Sequence, residues 1–128
     1  MITIIATRFF FFAICFSSFG ISKSYFIDNL SINSIIKANG EVHIEETRAF
    51  VFNGSYSFAY LELDKKVFNE IYDINVLDGD FHFENSDSKA KNTFVVINKK
   101  NTLSIKWYFV AEDTTRTFTV SYKLKGAL

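Results

Sequence analysis

The sequence predicts an all-β fold, an immunoglobulin-like antiparallel β-sandwich of about seven to nine strands. Apolar residues beyond position 24 recur with period two, the pattern of strands that bury one face. Asn-Gly and Asp-Gly pairs, which favour tight turns, separate several of the alternating segments. The chain contains no proline, so no residue removes a backbone donor from a sheet. A small β-barrel is the second choice.

A leader precedes this domain. Arg8 stands before the apolar run Phe9–Phe19, and small polar residues follow, which is the order of parts in a secretory signal peptide. We expect a signal-peptide helix over 1–24, cleavage between residues 20 and 24, and a single β-sandwich domain over 25–128. The alternative is an uncleaved anchor, because the stretch from residue 4 to residue 21 nearly reaches bilayer-spanning length, although Arg8 interrupts it.

The composition of the mature chain excludes several classes of function. Cys15, the only cysteine, lies in the leader, so the domain has neither a disulfide framework nor a reactive thiol. Loss of Arg8 and Lys23 leaves 12 basic and 14 acidic residues. A net charge of −2 gives no attraction to nucleic acid or anionic lipid. We therefore expect no nucleic-acid partner, and membrane contact only through an uncleaved N-terminal segment.

The first half of the domain predicts two strands joined by a hairpin turn at Asn39-Gly40. The first strand has apolar residues on one face, namely Phe26, Leu30, Ile32 and Ile36. The second also places four apolar residues on one face, namely Val42, Ile44, Phe50 and Phe52. Asn53-Gly54 ends the second strand, and a further strand is predicted from Tyr56 to Leu63.

One short helical segment of one or two turns is possible between Asp64 and Ile71. A strand with Tyr72, Ile74 and Val76 follows, closed by Asp78-Gly79. A short strand over 81–84 and a compact apolar strand over 93–98 come next.

Two C-terminal segments alternate most clearly. Each has four apolar residues on one face, namely Leu103, Ile105, Trp107 and Phe109 in the first and Phe118, Val120, Tyr122 and Leu124 in the second. Residues 111–115 join them, and we expect the two strands to be neighbours.

Charged residues on these strands favour structural roles over chemistry. Glu45 and Glu46 are adjacent on a strand and so point to opposite faces, which prevents them from flanking one substrate. Glu46 and Arg48 share the apolar face of their strand, which implies an ion pair, a bulge or an end of the sandwich open to water. His43 and His82 are predicted on polar faces with no metal-ligand spacing.

Two ligand sites remain as hypotheses. Four oxygen-bearing residues around Gly79 could hold calcium, namely Asp73, Asn75, Asp78 and Asp80, but their spacing does not match the calcium loop and a polar hairpin is favoured. Tyr56, Phe58 and Tyr60 are predicted to share a face that could stack sugars, and Tyr108 lies on the face opposite Trp107. Aromatic residues are more often found in the core.

Two stretches resemble a known family. Residues 32–52 contain a strand, Asn39-Gly40 and a strand with Val-x-Ile-x-Glu-Thr, and residues 117–128 run Thr-Phe-Thr-Val-Ser-Tyr-Lys-Leu-Lys-Gly-Ala-Leu. This pattern resembles the N-terminal extracytoplasmic domain of predicted bacterial membrane proteins known as domain of unknown function 2207 (DUF2207). The resemblance implies an exported domain over about 27–128, with no catalytic residues to transfer. In that family transmembrane helices usually follow, whereas no later run in this sequence could span a bilayer.

The expected function is therefore that of a non-enzymatic interaction or structural module, with no catalytic, cofactor-binding or metal-binding residues and no cofactor. We expect it in the periplasm, outside the cell or on the outer face of the cytoplasmic membrane. Its partner would be another protein domain, bound through loops or a sheet edge. The opening strand and the closing strand Thr117–Lys125 are the candidate edges. A sugar- or calcium-binding domain is the alternative, and an enzyme comes third.

Overall fold

The computed structural model describes residues 24–127 and two short N-terminal strands, β1 (Ile2–Ile4) and β2 (Phe12–Cys15). These two segments are strands where the sequence predicts the leader helix. The remaining leader residues, with most of the cleavage region, lie outside the described residues.

Nine further strands follow: β3 (Ser24–Ile36), β4 (Val42–Asn53), β5 (Ser55–Asp64), β6 (Glu70–Asp78), β7 (Phe81–His82), β8 (Glu84–Asn85), β9 (Thr93–Asn98), β10 (Thr102–Glu112) and β11 (Thr115–Lys125). They form two sheets. Sheet I has the order β1-β3-β4-β11-β6-β7, and sheet II has the order β2-β5-β10-β9-β8. All pairings are antiparallel except that of β8 with β9.

The sheets pack as a sandwich, so the predicted fold class is confirmed. The inner faces of β10 and β11 are the two alternating sets predicted from sequence, and each member is at most 5% exposed. These two strands are not neighbours in one sheet, however, because the chain crosses from sheet II to sheet I between them. Two backbone hydrogen bonds join this connection to the one between β4 and β5, where the chain also changes sheet. Phe52 N–H donates to Thr114 O (2.9 Å), and Asp113 N–H donates to Gly54 O (3.1 Å).

The hairpin turn at Asn39-Gly40 forms as the sequence predicts. Gly40 has φ 87° and closes the β3–β4 hairpin, with its N–H donating to Lys37 O (3.0 Å). The short helical segment predicted between Asp64 and Ile71 is a single turn. A 3₁₀ turn covers Lys65–Val67 and is capped by Asp64. Asn69 N–H then donates to Lys125 O (2.8 Å), which draws the chain into sheet I.

Three register shifts change which side chains face the core. They lie between Ile27 and Asn29 in β3, between Tyr108 and Ala111 in β10, and opposite the Ser121–Lys123 segment in β6. An extra residue in one strand reverses the in-and-out alternation beyond it. The single apolar face predicted for the first strand is therefore wrong, and Phe26 is 53% exposed. The predicted β6 face is divided for the same reason, since Val76 is buried while Tyr72 pairs with half-exposed Lys123.

Candidate functional site

A shallow depression lies on the outer face of sheet I. We call it the outer groove. Its volume is about 530 Å³, and ten residues of four adjacent strands line it: Asn33, Ile35, His43, Ile44, Glu45, Asp73, Asn75, Ser121, Tyr122 and Lys123. These residues come from β3, β4, β6 and β11, which the sheet order places side by side.

A β-bulge in β6 directs Asp73 into the outer groove. The β6 segment from Tyr72 to Asn75 spans one residue more than its partner segment Ser121–Lys123. Asp73 takes up the difference with φ 51°, a left-handed conformation that non-glycine residues seldom adopt. Its carboxylate Oδ2 lies 3.0 Å from Lys123 Nζ. Strained backbone of this kind concentrates at functional sites.

The other side of the outer groove carries His43 and Glu45, both on the outer face of β4. His43 Nε2 lies 2.5 Å from Glu41 Oε1, and the histidine side chain is 26% exposed. Its predicted position on a polar face is confirmed. His82 is exposed at the far edge of sheet I in β7. The two histidines therefore do not meet.

The positions of the four residues around Gly79 do not support the calcium hypothesis. Asp73 pairs with Lys123, and Asp78 Oδ2 accepts a hydrogen bond from Arg116 Nη2 at 2.6 Å. Asp73 is also separated from Asp78 by five strand positions, or about 16 Å. Within residues 24–127, no group of three or more carboxylate, histidine or cysteine side chains is placed to hold a metal ion.

The charged residues on the inner face of β4 form a buried ion pair, one of the three arrangements the sequence allows. Glu46 is 1% and Arg48 is 5% exposed. Arg48 Nε donates to Glu46 Oε1 at 2.7 Å, and Arg48 Nη2 contacts the same oxygen. The second carboxylate oxygen accepts no hydrogen bond from the described residues. The pair therefore lies in the core and not at a water-filled end.

Burial changes the ionisation of this cluster. Desolvation raises the pKa of Glu46 above its ordinary value of 4.5, although Arg48 opposes the change through its charge and its hydrogen bond. Burial, with the Glu46 carboxylate nearby, also raises the pKa of Tyr122 well above 10.0. Because the cluster is enclosed by both sheets, we assign it a structural role.

The aromatic face predicted for β5 does not form. At the register shift between β5 and β10, the alternation of β5 reverses between Ala59 and Tyr56, so Tyr56 lies in the core, where it is 5% exposed. Phe58 and Tyr60 remain on the outer face of sheet II, beside Tyr108. Lys106 Nζ lies 4.1 Å from the centre of the Phe58 ring and 5.3 Å from that of Tyr108. The lysine therefore occupies the ring face that a sugar would need.

Of the two strands predicted to be sheet edges, the closing strand is central and the opening strand has one side largely unpaired among the described residues. The closing strand β11 lies in the middle of sheet I, between β4 and β6, so the prediction that it is an edge is wrong. Its non-local pairings cannot be deduced from its own alternation. The opening strand β3 pairs along its length with β4. Among the described residues, only Ile2–Ile4 pair with its other side, opposite Ser34–Ile36.

Sequence reasoning missed the outer groove as a unit. It considered His43 and Asp73 separately, and it did not single out Asn33, Ser121 or Lys123. The only sign of the groove in the sequence was that each alternating strand has a polar face. Only the pairing of β11 with both β4 and β6 brings those faces together.

Comparison with known proteins supports one assignment. Residues 26–128 match the family described as "Predicted membrane protein (DUF2207) N-terminal domain". No curated protein and no solved structure matches the chain. In the part of the chain that the structure describes, no helix has the length and apolar character needed to cross a membrane.

Proposed function

The chain belongs to the DUF2207 family of predicted membrane proteins, and on that premise we propose that it is a non-catalytic interaction module displayed on the outer side of the cytoplasmic membrane. The exported location is supported by the leader, in which Arg8 precedes a long apolar run. The partner would be another protein domain, bound through the exposed edge of sheet I.

The observation that carries this proposal is the apolar character of the β3 edge. Phe26 is 53% and Leu30 is 49% exposed, and both lie in the part of β3 that pairs only with β4 among the described residues. A sheet edge offers backbone donors and acceptors to an added strand, and neighbouring apolar side chains give such a contact its energy. Exposed apolar residues on one edge are typical of an interaction surface.

The pairing of Glu46 and Asp78 with arginine residues supports a non-catalytic role. Glu46 is held by Arg48 in the core, and Asp78 is held by Arg116. A general acid or base must be free to exchange a proton with a substrate. These two carboxylates are instead engaged with their arginine partners.

Site-specific photocrosslinking in cells tests the proposal. A photoreactive amino acid at position 26 or 30 should give a discrete crosslinked protein product, because both side chains are about half exposed at the β3 edge. Val110 is the matched control, since it is apolar, 66% exposed and on sheet II. Equal crosslinking at positions 26, 30 and 110, or none at 26 and 30, would contradict the proposed edge contact.

A further inference from the structure

The outer groove has the dimensions of a small-ligand site. It crosses four adjacent strands, and strands in a sheet lie about 4.8 Å apart, so it extends about 14 Å across the sheet. Its volume of about 530 Å³ falls within the range of pockets that hold small molecules. A molecule lying across the strands would meet side chains from all four.

The polar groups of the groove include both donors and acceptors. The amides of Asn33 and Asn75 and the hydroxyl of Ser121 can each donate and accept hydrogen bonds, while Glu45 only accepts. Among the described residues, the side chains of Asn33, Glu45 and Ser121 have no hydrogen-bond partner. These groups are therefore available to a ligand.

The charges of the groove disfavour an anionic ligand. Glu45 and Asp73 would repel an anion. Asp73 and Lys123 also neutralise each other at 3.0 Å. A ligand with several neutral hydroxyl groups satisfies donors and acceptors alike, and Ile35 offers an apolar contact to the C–H face of a sugar ring. We propose that the outer groove binds a neutral oligosaccharide.

The bulge at Asp73 is an independent observation that points to the same place. Regular pairing of β6 with β11 would need no left-handed aspartate, yet the chain holds Asp73 at φ 51° in the groove wall. Bulges re-aim side chains next to binding sites. The bulge also brings Asn75 beside Asp73, with Asn75 Nδ2 donating to Asp73 O at 3.3 Å. That contact leaves the amide oxygen of Asn75 for the ligand.

Calorimetric titration of the full chain, as purified from cells, tests the proposal. The probes are cellobiose, maltose and N,N′-diacetylchitobiose, with spermidine as a cationic probe and citrate as an anionic one. We expect saturable binding of at least one sugar with a dissociation constant on the order of 1 mM, little affected by salt. Asn75→Leu and Glu45→Gln should each weaken it about fivefold, the effect of losing one hydrogen bond.

Glu84→Gln and Asn85→Leu are matched controls, because both residues are exposed on β8 of sheet II. Neither should change sugar affinity. Glu45 is exposed, so Glu45→Gln keeps the test valid if Asn75→Leu fails to fold. Three results would overturn the inference: no sugar binds, binding survives both groove variants, or spermidine or citrate binds while the sugars do not. None of these results affects crosslinking at the β3 edge, so the two proposals fail separately.

Discussion

Two acid–base pairs in and just before β4 have the same spacing along the chain, but one pair is partly exposed to solvent and the other is buried. Glu41 and His43 are two residues apart, as are Glu46 and Arg48. The first pair lies on the outer face, with side chains 17% and 26% exposed, whereas the second lies in the core at 1% and 6%. Both are close contacts, so distance does not distinguish them.

The difference shows that the face of the strand on which an ion pair lies decides how much stability depends on that pair. Water screens the outer pair, and pairs of that kind contribute little to stability. The inner pair has lost its hydration, so each charge depends on its partner. Four predictions test this contrast between the inner and outer faces, beginning with the largest effect.

Removing one inner partner should be far more damaging than removing one outer partner. Arg48→Ala leaves Glu46 buried without its counter-charge, and we expect the free energy of unfolding to fall by about 3–5 kcal/mol. The matched outer variant His43→Ala should change it by less than about 1 kcal/mol. Urea denaturation followed by tryptophan fluorescence measures both. Similar losses in the two variants would remove the contrast.

The aromatic residues of β5 should show the same division. Tyr56 is buried after the β10 register shift, so Tyr56→Ala should cost about 3 kcal/mol through the cavity it leaves. Tyr60 lies on the outer face of sheet II, and Tyr60→Ala should cost less than about 1 kcal/mol. Thermal unfolding of the two variants gives the comparison. Equal shifts in Tm would mean that the two side chains share a face after all.

The pH dependence of stability should report the burial of Glu46 on the inner face. Burial raises the folded-state pKa of Glu46 above 4.5. The protonated form is therefore favoured by folding, and its contribution is complete below about pH 4.5 and is lost as the pH rises through the folded-state pKa. Relative to Glu46→Gln, the wild type should lose stability as pH increases from 4.5. Parallel stability curves for the wild type and Glu46→Gln would contradict the buried assignment.

Replacing both inner partners should nearly restore stability. The double variant Glu46→Leu, Arg48→Met fills a similar volume with apolar groups and removes both desolvated charges. We expect its free energy of unfolding to lie within about 1 kcal/mol of the wild type or above it. A loss as large as that of Arg48→Ala would show that the pair supplies something other than mutual charge compensation.

Local patterns predicted the elements well where alternation was unbroken. The inner faces of β10 and β11 and the Asn39-Gly40 hairpin could be predicted because side-chain period and turn chemistry act over a few residues. The same reasoning placed Glu46 and Arg48 on the apolar face of β4. It failed at Tyr56 and at Phe26, because a bulge reverses parity without a distinctive local sequence.

The candidate site was less predictable than the strands. His43 was assigned correctly to a polar face, and Asp73 was noticed only as part of a turn. Their meeting in one groove depends on β11 lying between β4 and β6, and such pairings join residues far apart in the chain. A period-two pattern does not contain that information.

The sequence by itself determined the fold class, the polar and apolar faces of the regular strands and the resemblance to the DUF2207 family. Each follows from short-range chemistry or from motifs a few residues long. Tertiary structure alone decided that β11 is central, that Glu46 and Arg48 pair in the core, and that four polar strand faces form one groove. The physical reason is that sheet order and bulge positions depend on how the two sheets pack against each other. That packing involves residues from the whole domain and not only neighbours in the sequence.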